Sequence, residues 1–243
     1  MTYCLSIKVD DGLVFASDSR THAGVDYASV FSKMHPFVLN EDRFLVLLAA
    51  GSLATTQAVV NFIRRDLENP GAYNSLNTAA YLYDAAAYVG ELSVRVQEQH
   101  WAAMQRSGFS GEATFILGGQ IRGQAPEIYL IYPQGNYIAA SPDTPYLQIG
   151  ETKYGKPILD RMATPLTSLE DAARCALVSL DSTMRSNISV GPPVELLIYR
   201  KDSFCPGQHL SLDFSTPFYG ELQRHWSEGI RAAFGMLPRF DWE

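Results

Sequence analysis

Residues 1–20 read MTYCLSIKVDDGLVFASDSR, and the fold depends on how they are parsed. Apolar side chains recur at Tyr3, Leu5, Ile7 and Val9, the two-residue period of a strand with one buried face. Asp11-Gly12 is the dipeptide of a tight hairpin turn, and residues 13–16 are the returning strand. The stretch is therefore a β-hairpin that starts at once, where most domains begin with a few loose residues. A strand that starts here also fixes the position of Thr2.

Working outward, a polar stretch around 21–24 leads to a strand over 30–39, a turn at 40–42 and a fully buried strand over 44–50 that Gly51-Ser52 ends. Ser52 is placed to cap a helix carrying Leu53, Val60, Ile63 and Leu67 on one face, and Asn69-Pro70-Gly71 stops it. A longer helix is expected over about 76–104. Strands follow over 113–119, 127–132 and 137–140, with a turn at 133–136 between the last two. Helices near 153–162 and 168–186, strands at 194–199 and 210–214, and a helix from about Pro217 complete the order. A doubly wound domain would alternate strand and helix throughout. This order suits two antiparallel sheets packed face to face between helical layers, an α+β four-layer αββα sandwich. No internal repeat or linker divides the chain, and 200–207 reads as a loop. Residues 1–243 are expected to form one domain, with 200–243 as its C-terminal extension.

Composition narrows the function. The 243 residues are 47% hydrophobic and 19% charged, enough to build a sizeable core. A formal net charge of −7 and the lack of a dense Lys/Arg run argue against nucleic acid or an anionic membrane as the main partner. No stretch approaches the roughly 20 apolar residues of a membrane span, and no signal peptide opens the chain, so a cytoplasmic location is expected. Cys4, Cys175 and Cys205 are odd in number and far apart, which predicts ordinary buried thiols and no disulfide framework. The five histidines form no HExxH-like pair, so neither a metal nor another cofactor is expected.

Thr2 carries the first chemical signal. Methionine aminopeptidase removes Met1 when the second residue is small, which would leave a free α-amine beside a hydroxyl. Such an amine titrates near about 7.7 to 8.0 when unperturbed, and can serve as general base for its own Oγ. Many cytosolic proteins begin Met-Thr without being enzymes, so the dipeptide alone identifies nothing. The added signals are ASDSR at 16–20, FSKMH at 31–35 and LAAGSLA at 48–54. Taken singly, Asp18, Lys33 and Arg20 are a turn carboxylate and two solvated or paired cations. In combination with Thr2 and Gly51 they resemble the β-subunits of the proteasome family. The longer stretches AAGSLATTQ, IGETKYGKPILDR and DSTMRSNISVG resemble its bacterial Anbu group, over essentially the whole chain.

That resemblance implies a threonine-type peptidase or amide hydrolase that works by acyl transfer. Thr2 becomes the nucleophile after loss of Met1, Lys33 the cation beside it, Asp18 the carboxylate that orients Lys33, and Gly51 the oxyanion-hole donor. Arg20 is expected to hold the Asp18 carboxylate and the adjoining turn. The resemblance also implies a homo-oligomer, a ring or an open, helically staggered ring. The tail LPRFDWE and the aromatic residues Phe218, Tyr219, Trp226, Phe234, Phe240 and Trp242 are candidates for burial against a neighbour or the chain's own core.

The chain departs from the family pattern on one side of the threonine. Gly150-Glu151-Thr152 places a carboxylate where a hydroxyl is usual, and the segment from Ser186 to Gly191 replaces an Asp-x-x-Ser-Gly motif, with Asp181 several residues too early. Ser186 and Ser189 are expected to hydrogen-bond the terminal amine. Glu151 has two readings, a supporting carboxylate or a solvated loop residue. Two other functions stay open beside the peptidase: a self-assembling scaffold with little or no hydrolase activity, and a small-molecule amidase.

Overall fold

The computed structural model describes residues 1–22, 28–69, 74–108 and 110–243. The polar stretch expected around 21–24 falls partly outside them, and the Pro70-Gly71 helix stop wholly so. The opening hairpin is β1 (Tyr3–Val9) and β2 (Gly12–Asp18). A short ribbon of β3 (Arg20–His22) and β4 (Ala28–Val30) follows, then β5 (Met34–Leu39) and β6 (Arg43–Gly51). Two helices, α1 (Leu53–Glu68) and α2 (Leu82–Ser107), lead into β7 (Ala113–Ile121), β8 (Glu127–Ile131), β9 (Tyr137–Ala139) and β10 (Tyr146–Gly150). The chain ends with α3 (Lys156–Met162), α4 (Leu169–Ser186), β11 (Val194–Arg200), β12 (His209–Leu212) and α5 (Pro217–Gly235).

Two five-stranded antiparallel sheets form, in the orders β10-β1-β2-β11-β12 and β5-β6-β7-β8-β9. Alternation along the strands builds three apolar layers. Tyr3, Leu5 and Ile7 of β1 pack with Leu159 of α3 and with Ala172, Ala176 and Leu180 of α4. Leu45 and Leu47 of β6 face Val59 and Ile63 of α1 and Ala85 and Val89 of α2. Between the sheets, Phe15 and Leu197 meet Phe44, Val46, Leu48 and Ile116. Helices, sheet, sheet, helices is the four-layer αββα sandwich that the element order implies. Gly118 lets the sheets close: a Cβ there would stand 2.7 Å from the Phe15 ring and 2.8 Å from Ile128. Gly118→Ala is expected to cost about 1–3 kcal/mol of stability by overpacking, read as a lower midpoint in urea unfolding.

Several details differ from the sequence reading. β1 is buried on both faces, because Ser6 lies under the second sheet with its hydroxyl donating to the Val14 carbonyl at 3.0 Å. Val9 pairs with Gly12, so Asp10 and Asp11 form the turn, and Gly12 is needed because a Cβ would overlap the Tyr199 carbonyl. Residues 76–81 are not helical. Arg43 donates to the Leu76 and Ala79 carbonyls at 3.0 Å each, and Ser75 N donates to Thr78 Oγ1, so side chains take the place of a helical ladder. Strand β10 was not expected, and Cys205 is exposed in the loop before β12.

The C-terminal segment is anchored at one end. Tyr219 is fully buried, whereas Phe218, Phe234, Phe240 and Trp242 are exposed and Trp226 is half-buried. Asp181, buried in α4, accepts from Gln223 Nε2 of α5 at 2.7 Å and from Arg185 Nε at 2.9 Å. Among the described residues, no helix is long and apolar enough to cross a membrane.

Candidate active site

The end of β2 brings Asp18 opposite Val194 of β11, in a position that water does not reach. Its carboxylate has three donors. Oδ1 accepts from Lys33 Nζ at 2.7 Å and from the Tyr3 amide at 3.0 Å, and Oδ2 accepts from the Gly191 amide at 3.1 Å. Burial pushes the Asp18 carboxyl above its usual value, opposed by the Lys33 ammonium and by the two amides. Lys33 lies just before β5, almost fully buried, and also donates to the Arg20 carbonyl at 2.7 Å. The pair is thus fixed by charge-assisted bonds to three separate chain segments.

Thr2 enters this cluster through its neighbour. The Tyr3 amide is tied to Asp18, and the Thr2 carbonyl accepts from the Glu151 amide at 2.7 Å. Gly150 has φ +85°, and a Cβ there would overlap the Thr2 carbonyl, so this turn accepts no side chain. Thr2 itself is half-buried. Glu151 is buried, not a solvated loop residue: Asn187 Nδ2 donates to its Oε2 at 3.0 Å, and Asn187 Oδ1 accepts from the Ser189 amide at 2.9 Å.

Gly51 closes β6 with φ +110°, and a Cβ would overlap the Glu112 carbonyl. Ala49 N donates to the Lys33 carbonyl at 3.0 Å, and Ser52 N donates to Glu112 O at 2.9 Å on the opposite side. Strand alternation therefore points the Gly51 amide to the Lys33 side, beyond the Met34–Leu48 pair where β5 begins. Ser52 caps α1 as expected, its hydroxyl accepting from Thr55 N at 3.4 Å. The positive end of α1 is thereby set beside Gly51.

The Arg20 guanidinium donates to the Ile188 carbonyl at 2.8 Å and so holds the turn, while the group it offers to the Lys33–Asp18 pair is its own carbonyl. Ser186 ends α4 with an exposed side chain, and Ser189 enters the network through its backbone amide. Asp181, to which the sequence assigned no role, joins α5 to α4. Asn187 and Gly191 were not singled out. Gly191 both donates to Asp18 and leaves room for the Arg20 side chain, since a Cβ would overlap the guanidinium. The only sequence signal for either was its place in the departed motif.

Comparison with known proteins agrees with this fold. The family profile described as Proteasome subunit matches residues 2–199. A proteasome subunit beta of Haloquadratum walsbyi is 26% identical over 210 residues, covering 86% of this chain and 77% of that protein. The solved Anbu (ancestral beta-subunit) from Yersinia bercovieri superposes with a TM-score of 0.92 at 42% identity, over 99% of each chain. The helical assembly of the Anbu complex from Pseudomonas aeruginosa gives 0.92 at 45% identity over 98% of each. With likeness that spans nearly its whole length in sequence and in fold, the chain belongs to the proteasome subunit family and, within it, to the Anbu ancestral beta-subunit group.

Proposed function

We propose that this protein is an N-terminal threonine hydrolase of peptide or related amide bonds, active once Met1 and anything before it has been removed from Thr2. The observation that carries the reading is the buried Lys33–Asp18 pair tied to the Tyr3 amide, one residue from the nucleophile. A fixed ammonium near the terminus favours the neutral amine, so that it can accept a proton at neutral pH.

In the reaction, the α-amine takes the Thr2 Oγ proton as Oγ attacks the amide carbon. The carbonyl oxygen becomes an oxyanion, which the Gly51 amide and the positive end of α1 stabilise. The C–N bond breaks, and the leaving amine takes the proton back from the ammonium. Water, deprotonated by the α-amine, then attacks the ester; the acyl–Oγ bond breaks, the acid leaves and Thr2 is restored. Lys33 sets the electrostatics, Asp18 holds Lys33, and Glu151 with Asn187 supports the far side of Thr2. No cofactor takes part, and the protein acts in the cytoplasm as one domain, with residues 200–243 as its extension.

Self-assembly belongs to the same proposal. The Pseudomonas relative forms a helical assembly, and α5 with the tail exposes Phe234, Met236, Phe240 and Trp242 here. Those exposed apolar side chains also favour the second reading, a scaffold with little turnover. The decisive experiment is the intact mass of protein made from its native start codon without a tag, before and after incubation with a peptide epoxyketone. Loss of one methionine followed by a single adduct on Thr2 is the expected result. Retention of Met1 together with no adduct overturns the hydrolase reading and leaves the scaffold.

A further inference from the structure

A cavity of about 340 Å³ opens beside Lys33, between β5, β6 and α1. Ala49 and Leu53, which bracket Gly51, form part of its wall, so it adjoins the point where a substrate carbonyl would rest. Its charge is one-sided. Among the described residues, Lys33, His35 and Arg64 line it and no carboxylate does, in a protein with 26 acidic and 19 basic residues. Lys33 is already committed to Asp18. Arg64 differs: among the described residues it makes no ion pair, whereas the next residue, Arg65, is joined to Asp66 at 2.7 Å. Asn61 and Gln57, about one and two turns earlier on the same helix, add amide donors to its lining.

We propose that this cavity is a subsite for an acidic side chain on the residue that supplies the scissile carbonyl, with Arg64 as the recognising cation and Asn61, Gln57 and His35 around it. The proposal rests on the hydrolase reading for its position and on the cavity's own lining for its chemistry. A guanidinium meets a carboxylate in paired, charge-assisted hydrogen bonds, a geometry that a neutral amide of the same shape matches poorly. The stem of a glutamate would lie along Ala49 and Val60. Burial, with the Arg64 charge adding to it, pushes the His35 imidazole from 6.5 down to about 4. An anion seated between the two would act against the Arg64 contribution.

Two measurements test this separately from the hydrolase reading. In the first, Thr2→Ala protein is titrated with capped Ala-Ala-Glu-amide, Ala-Ala-Gln-amide and Ala-Ala-Lys-amide while the His35 ring signals are followed by NMR. Binding of the glutamate peptide is expected to be about tenfold tighter than that of the glutamine peptide at low salt, with the gap shrinking as salt is added. Arg64→Glu is expected to reverse the order in favour of lysine. Equal binding of the three peptides, or an order that Arg64→Glu leaves unchanged, overturns the subsite. In the second, the Met1-processed protein is given the same sequences ahead of a fluorogenic amine. Charge-selective binding without hydrolysis keeps the subsite and removes the hydrolase reading; hydrolysis with no acidic preference does the opposite.

Discussion

Thr2→Ala is expected to abolish the proposed amide hydrolysis, a loss of about 10³-fold or more in kcat, with the unfolding midpoint unchanged. The size follows from the proposed reaction: there Thr2 carries both the nucleophile and, on its freed nitrogen, the base, so no second residue can stand in for Oγ. The fold is indifferent to the change. What Thr2 gives the structure is its carbonyl, bonded to the Glu151 amide, and alanine keeps that group. Thr2→Ser keeps Oγ and the amine and so retains turnover. Steady-state hydrolysis and urea unfolding of the three proteins, each confirmed by mass to lack Met1, check this. Full activity in the alanine variant would place the nucleophile elsewhere.

Lys33→Met produces the second large effect, because it removes one half of a buried ion pair. The remaining carboxylate keeps two backbone amides and loses the Lys33 ammonium paired with it, at a cost of about 3–5 kcal/mol. With the ammonium gone, desolvation of Asp18 is opposed by the amides alone, and the carboxyl titrates higher than in the parent. An acid whose folded value is raised binds its proton more tightly folded than unfolded. The variant's stability deficit is therefore smallest at low pH and grows as pH rises through the raised value. Adding Asp18→Asn recovers much of the stability without recovering turnover, since nothing then acts on the amine. A double-mutant cycle from pH 4 to 8 reads the coupling. Additive stability effects would show that the pair does not act as a unit.

How legible this was depended on how local each cause is. The αββα order followed from periodicity, and Ser52 as a cap followed from its place before an apolar helix. β10 was missed because YLQIG is short and its pairing partner, β1, lies some 140 residues away in sequence. Residues 76–81 carry apolar residues at helical spacing, yet two of their carbonyls are bonded by Arg43 on a distant strand. Within the site, Thr2 was marked by its place after Met1, and the roles of Asp18, Lys33 and Gly51 were reached through resemblance. Asn187 and Gly191 act through bonds to Glu151 and Asp18 that no local pattern encodes. Arg20 was expected to hold both the Asp18 carboxylate and the adjoining turn; its guanidinium reaches the turn, and its carbonyl accepts from Lys33.

The register at the start of β1 separates building the site from arming it. Sheet pairing begins at Tyr3, against Gly150, and Met1 is exposed beyond it. No ladder bond is lost when Met1 leaves, and Asp18, Lys33 and Gly51 are already in place before it does. On the hydrolase proposal, removal of Met1 is therefore the release of a safety catch. It would change the state of one nitrogen and leave the architecture as it was, so the timing of the proposed activity would be set by whatever removes that residue, independently of when the chain folds.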